Sequence, residues 1–252
     1  MALNIMNRNL TRRQFAATAG TAVGLSLLPR TFLAGTSRTS EASMGLRILF
    51  QGDSITDCGR DRNEKAPNTN GGLGSGYPLL VAGHVLESNP AREYQFFNRG
   101  VSGNRVPDLI DRWKGDTLEL KPDVLSILIG VNDLWHKLMR GTPGTVEEYE
   151  QGYARLLADT RQALPSVRLV VLEPFVLRTG AVDARWFPEF DLRRAAAWRV
   201  AKNAGATMIE LQEMFDRLSR KAPPAYWAAD GVHPTPAGHA AIASLWQQKV
   251  KL

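Results

Sequence analysis

Along most of the chain, short runs of apolar residues alternate with longer segments in which apolar positions recur every three or four residues. The short runs are residues 47–50 (RILF), 94–97 (YQFF), 124–129 (VLSILI), 168–172 (RLVVL) and 206–209 (ATMI). Continuous runs of this length, rich in Val, Ile, Leu and Phe, suit strands covered on both faces. Between them, residues 77–87, 146–164, 190–204 and 236–250 show helical spacing. Thr235 is placed to cap the last of these, with Pro236 at its first position. Strands alternating with helices predict one α/β domain over residues 44–252, a three-layer α/β/α sandwich around a parallel sheet. No repeat, low-complexity tract or linker divides it.

Residues 1–43 follow a different pattern. Thr11-Arg12-Arg13-Gln14-Phe15 precedes an uncharged, mildly apolar stretch from Ala16 to Leu28, and Ser40-Glu41-Ala42 offers a small-x-Ala cleavage point. Paired arginines before such a stretch resemble a twin-arginine export signal. About 13 apolar residues are too few to cross a hydrocarbon core of roughly 30 Å as a helix. The expectation is a substrate of the twin-arginine machinery, cleaved near Ser43, with a periplasmic or extracellular product and no stable membrane anchor.

This segment also changes the meaning of the charge. The 252 residues carry 31 Lys and Arg against 25 Asp and Glu, a net of +6. Residues 1–43 hold five arginines and one acid, so the rest has 26 basic and 24 acidic residues, a net of +2. Those charges are scattered, which argues against a nucleic-acid partner. One cysteine, Cys58, excludes an intramolecular disulfide and reads as a small buried residue. The histidines His84, His136, His233 and His239 have no metal-ligand spacing, so neither metal nor cofactor is expected. His84, His136 and His239 read as structural or surface groups. The glycine-rich residues 71–76 lack the Lys-Ser/Thr pair of a phosphate loop and read as a flexible loop.

In open parallel sheets, chemistry collects beyond the carboxyl ends of the strands. Gly52-Asp53-Ser54-Ile55-Thr56 follows the first predicted strand, Asn98-Arg99-Gly100-Val101-Ser102-Gly103-Asn104 the second, and Gly130-Val131-Asn132-Asp133 the third. Asp230-Gly231-Val232-His233-Pro234 precedes the last helix. A serine hydroxyl becomes a useful nucleophile when a neighbouring base takes its proton. Ser54 and His233 supply that pair, and Asp230 could hold the imidazole in the required tautomer. The Ser54 and Gly103 backbone N–H groups and the Asn132 amide are candidate donors to a developing oxyanion. Asp53 reads as structural. As a turn, Asn132-Asp133 would mean nothing catalytic, and Asp230-Gly231 likewise.

Taken in order, these four blocks resemble those of the SGNH (GDSL) hydrolase family, and they span residues 48 to about 239. The resemblance implies a five-stranded parallel, flavodoxin-like sheet and an esterase using Ser54, His233 and Asp230, with Ser54, Gly103 and Asn132 around the oxyanion. The wider stretches GDSITDCGR, SILIGVNDLW and YWAADGVHP are most similar to the acetylxylan-esterase branch, which implies acetyl esters on xylan or xylo-oligosaccharides. Trp135, Tyr226 and Trp227 are the aromatic candidates for contact with a sugar. The alternatives are a broad short-chain or aryl esterase, a deacetylase of another sugar, and a silent carbohydrate-binding protein of the same fold. Oligomeric state is not legible.

Overall fold

The computed structural model describes residues 45–252; the predicted export signal lies outside them. Among the described residues there are five strands: β1 (Arg47–Gly52), β2 (Gln95–Asn98), β3 (Val124–Leu128), β4 (Arg168–Leu172) and β5 (Thr207–Ile209). They form one parallel sheet in the order β2-β1-β3-β4-β5. This is the flavodoxin-type order, whose direction of winding reverses beside β1 and β3. The ten helices described are α1 (Ser54–Asp57), α2 (Asn70–Leu73), α3 (Tyr77–Ser88), α4 (Val106–Trp113), α5 (Val131–Arg140), α6 (Val146–Ala163), α7 (Glu189–Asn203), α8 (Leu211–Leu218), α9 (Pro224–Trp227) and α10 (Pro236–Lys249).

Alternation along the strands explains the three layers. Ile48 and Phe50 point to one core with Tyr77, Val81 and Trp246, whereas Leu49, Leu125 and Ile127 point to the other with Leu109, Tyr153 and Leu157. Both sides are thus sealed by helices, as continuous apolar strands require. The buried indoles keep their N–H groups satisfied: Trp246 donates to Ser126 Oγ at 3.0 Å and Trp113 to Thr160 Oγ1 at 2.8 Å. The predicted cap of α10 forms, with Gly238 N–H donating to Thr235 Oγ1 at 3.3 Å.

The structure corrects two readings. Residues 71–76 are not a flexible loop. Asn70–Leu73 is a helical turn with Leu73 buried, Ser75 N–H donates to the Cys58 carbonyl at 3.0 Å, and a Cβ on Gly74 would stand 2.6 Å from the Asp57 carbonyl. Gly74 has no room for a side chain because it packs directly on the backbone of Asp57 and Cys58, just after Ser54. Cys58 is half-buried rather than buried, with its Sγ 3.5 Å from both Ser75 Oγ and His239 Nε2. The histidine against it, His239, is itself buried and accepts the Tyr77 N–H at 3.1 Å.

Candidate active site

Three strand ends and one late loop meet at the carboxyl edge of the sheet. Asp53 leaves β1 and caps α1 by accepting the Ile55 N–H at 3.0 Å, which sets Ser54 at the helix start with its hydroxyl half-exposed. Asp53 is fully buried, and burial pushes its carboxyl up to about 7 despite that hydrogen bond and the nearby His233. The loop after β2 is tied to α1 twice. Asn98 donates to the Thr56 carbonyl at 2.6 Å and accepts from Gly100 N–H at 2.8 Å, while Asp57 accepts from both the Ser102 N–H and its hydroxyl at 2.9 Å.

Asn132 lies in the first turn of α5, directly after β3. One hydrogen of its amide goes to the Asn104 carbonyl at 3.1 Å, which fixes the side chain against the β2 loop. An amide carries two N–H donors, so the second remains for a ligand. Gly103 sits beside it with φ +84, a conformation that L side chains rarely adopt. Its neighbour in the sequence of α5, Asp133, accepts the Val106 N–H at 3.2 Å and so links the starts of α4 and α5. Burial raises the Asp133 carboxyl to about 6.

His233 arrives from the loop between α9 and α10. Its Nε2 lies 2.8 Å from Ser54 Oγ, and its Nδ1 lies 2.6 Å from Asp230 Oδ2. The other oxygen of Asp230 accepts the backbone N–H groups of Val232 at 2.9 Å and His233 at 2.7 Å. Partial burial works to raise the Asp230 carboxyl, but the hydrogen bonds from the His233 ring and the two backbone donors outweigh it and hold it below the ordinary range. An ionised Asp230 accepting Nδ1–H leaves Nε2 as the lone-pair nitrogen facing the serine, the tautomer that a general base requires. The loop is braced from behind: Leu177 N–H donates to the Gly231 carbonyl and Ala181 N–H to the Asp230 carbonyl, each at 2.8 Å.

Ser54, Gly103, Asn132 and His233 thus share one cleft of about 370 Å³, with Trp135 and His136 on its wall. The structure brings together every residue singled out for catalysis and the oxyanion. Of the three aromatic candidates it brings only Trp135, whose ring centroid is 5.7 Å from that of His233. Tyr226 and Trp227 stack edge-on against each other at 4.9 Å and do not line the cleft. His136, read from sequence as structural or surface, lines it instead. The missed signal is spacing, because His136 lies one helical turn beyond Asn132. Among the described residues, no group of three or more His, Cys, Asp or Glu side chains is arranged to hold a metal.

The match to the GDSL-like lipase/acylhydrolase family covers residues 50–241, and the chain belongs to this family of carboxylic ester hydrolases. It is 32% identical over 210 residues to an acetylxylan esterase of Geobacillus stearothermophilus, which spans 82% of this chain and 94% of that one. The crystal structure of Axe2, an acetylxylan esterase from the same organism, superimposes with a TM-score of 0.74 at 31% identity, over 84% of this chain and 96% of that chain. A GDSL-like protein from Parabacteroides merdae is 46% identical with a TM-score of 0.80, over 82% and 96% of the two chains.

Proposed function

We propose that the protein is a serine esterase that removes acetyl groups from carbohydrate, xylan or xylo-oligosaccharides in the first instance, through an acyl-enzyme. The single observation that carries this reading is the unbroken relay from Ser54 Oγ through the His233 ring to Asp230, with contacts of 2.8 and 2.6 Å. In it, His233 Nε2 takes the hydroxyl proton as Ser54 Oγ attacks the ester carbonyl, and Asp230 stabilises the resulting imidazolium. The Ser54 and Gly103 N–H groups and the second Asn132 amide hydrogen receive the oxyanion. Collapse of the tetrahedral intermediate expels the sugar hydroxyl, protonated by His233. Water, deprotonated by the same ring, then attacks the acyl-serine and releases acetate.

The similarity to acetylxylan esterases supports the acetyl and xylan assignment. A second reading, a broad short-chain or aryl esterase, draws on Trp135 and the exposed Met139 at the cleft, which offer apolar contact to any acyl or alcohol group. Release of acetate from acetylated xylan, compared with hydrolysis of longer 4-nitrophenyl esters, separates the two. Ser54→Ala should reduce hydrolysis of 4-nitrophenyl acetate by several orders of magnitude without unfolding the protein. Equal background rates for both proteins would support a silent binding module instead. Residues 1–43 are read as a twin-arginine signal that exports the folded enzyme to the polymer. The supporting facts are Arg12-Arg13, the following apolar stretch and the small residues before Ser43, and sequencing the N-terminus of the exported protein tests it.

A further inference from the structure

We infer that the cleft selects substrates whose alcohol portion carries a carboxylate, as a uronic-acid-substituted oligosaccharide does, and that Arg140 is the specificity-determining cation. This rests on the esterase reading above and names the charge class of its substrate.

The case begins with helix geometry. Asn132, Trp135, His136, Met139 and Arg140 fall at spacings of three, four, seven and eight along α5, one face of a helix, and all five line the cleft. The rise per residue puts Arg140 about 12 Å along the axis from Asn132. Helical side chains tilt toward the N-terminus, so a long one at this position is carried back toward the acyl site. An acetyl group is too small to extend far beyond Ser54 and the oxyanion donors, so the larger alcohol portion is the part of the substrate that can reach a guanidinium lining the same cleft.

The charge at this position is uncompensated. Arg105, Arg193, Arg194 and Arg199 each hold a carboxylate at 3.1 Å or closer. Among the described residues, Arg140 makes no ion pair and no side-chain hydrogen bond, and no carboxylate lines the cleft. His136, between Arg140 and the oxyanion donors, also makes no side-chain hydrogen bond among the described residues. Burial, followed by the charges of Arg140 and Arg105, lowers its basicity, with Asp108 acting weakly the other way. A neutral His136 can serve a sugar hydroxyl, and the field it reports is the one a carboxylate would meet. Met139, 65% exposed beside Arg140, adds an apolar surface for the C–H face of a ring. A neutral sugar leaves the guanidinium to water; a uronate replaces that water with a charge-assisted, two-pronged pair.

The test uses acetylated xylo-oligosaccharides with and without a glucuronic acid branch, and reads the ratio of their kcat/KM values from acetate release. Wild type should favour the acidic substrate about tenfold, the order of one hydrogen bond to a charged group at a partly solvated rim, and high salt should narrow the ratio. Arg140→Gln should bring the ratio near one, Arg140→Lys should retain part of it, and Arg140→Glu should invert it. Independently of any variant, free glucuronate should inhibit hydrolysis of 4-nitrophenyl acetate more strongly than glucose does. A wild-type ratio near one, or a ratio unmoved by Arg140→Gln, overturns the inference while leaving the esterase reading intact. If wild type hydrolyses 4-nitrophenyl acetate but frees acetate from neither oligosaccharide, the carbohydrate reading and this inference fall together.

Discussion

Replacing Asp230 by Asn removes one charge and leaves the outline of the side chain unchanged. Asp230 now uses one oxygen for the Val232 and His233 backbone N–H groups and the other for His233 Nδ1. Asparagine cannot serve both. With its oxygen on the backbone donors, its NH2 faces Nδ1, so the ring proton moves to Nε2 and points at Ser54 Oγ, and the base is lost. Turned the other way, its NH2 confronts two backbone donors, and each donor left unpaired costs about 1–3 kcal/mol. Both arrangements also forfeit the charge that stabilises the imidazolium. The same replacement in other serine hydrolases lowers kcat by about 10⁴, or about 5.4 kcal/mol at 1.36 kcal/mol per decade. Here the His233 and Asp230 side chains are 44% and 40% exposed, and solvent screening moves the expectation toward about 10³. The assay is kcat/KM on 4-nitrophenyl acetate, with circular dichroism to verify the fold. A variant within about tenfold of wild type would show that Asp230 does not set the tautomer.

Other perturbations test neighbouring parts of the site. Asn132→Ala should lower kcat by about 10²–10³ with little change in KM, because its donor meets full charge only in the transition state; an unchanged kcat removes Asn132 from the oxyanion site. Gly100→Ala would put a methyl group 2.4 Å from the Asp57 nitrogen, a backbone atom that cannot yield. It should cost about 3 kcal/mol or more in a denaturant melt and lower kcat by displacing α1; a wild-type melting curve would contradict the packing described. Asp53→Asn probes the buried carboxyl beside the nucleophile. That carboxyl titrates at about 7 when folded and near 3.8 otherwise, so between these values the folded state holds more protons and wild-type stability from this group falls as pH rises. Relative to wild type, the variant should therefore gain stability between pH 4 and pH 8, on the order of 4 kcal/mol. A difference that does not change with pH refutes the assignment.

The features legible in the sequence were those carried by local contrast. Four of the long helices and all five strands announce themselves by apolar spacing, with ends shifted by one or two residues. The blocks GDSIT, NRGVSGN, GVND and DGVHP stand out because polar and small residues interrupt apolar runs. Of the helices that begin inside or just after those blocks, α10 was legible from its spacing and its Thr235-Pro236 start, whereas α4 and α5 were not. In α5, VNDLWHKLMR opens with motif residues that also make turns, and its start is set by Gly130 at φ +132, a choice invisible without the fold. Likewise α4 opens with Val106-Pro107-Asp108, which reads as loop until Asp133 supplies the hydrogen bond that anchors it. The wall of the cleft was hidden with α5: Trp135 could be guessed from aromaticity, but His136, Met139 and Arg140 share its face only once the segment is known to be helical. Tyr226 and Trp227 mislead for the opposite reason, since closeness in sequence to Asp230 says nothing about where their rings point.

Ser54 and His233 are separated by 179 positions along the polypeptide, with the first turn of α1 supplying one and the loop before α10 the other. On the proposed mechanism, a chain released before residue 233 has the hydroxyl but not the base, and it should stay inert however well its early strands assemble. Turnover by that mechanism should begin only when both extremities of the domain have closed on each other. During refolding, regain of esterase activity should accordingly lag behind regain of helical signal whenever that closure is the slow event, which makes the reaction itself a reporter for the final stage of assembly.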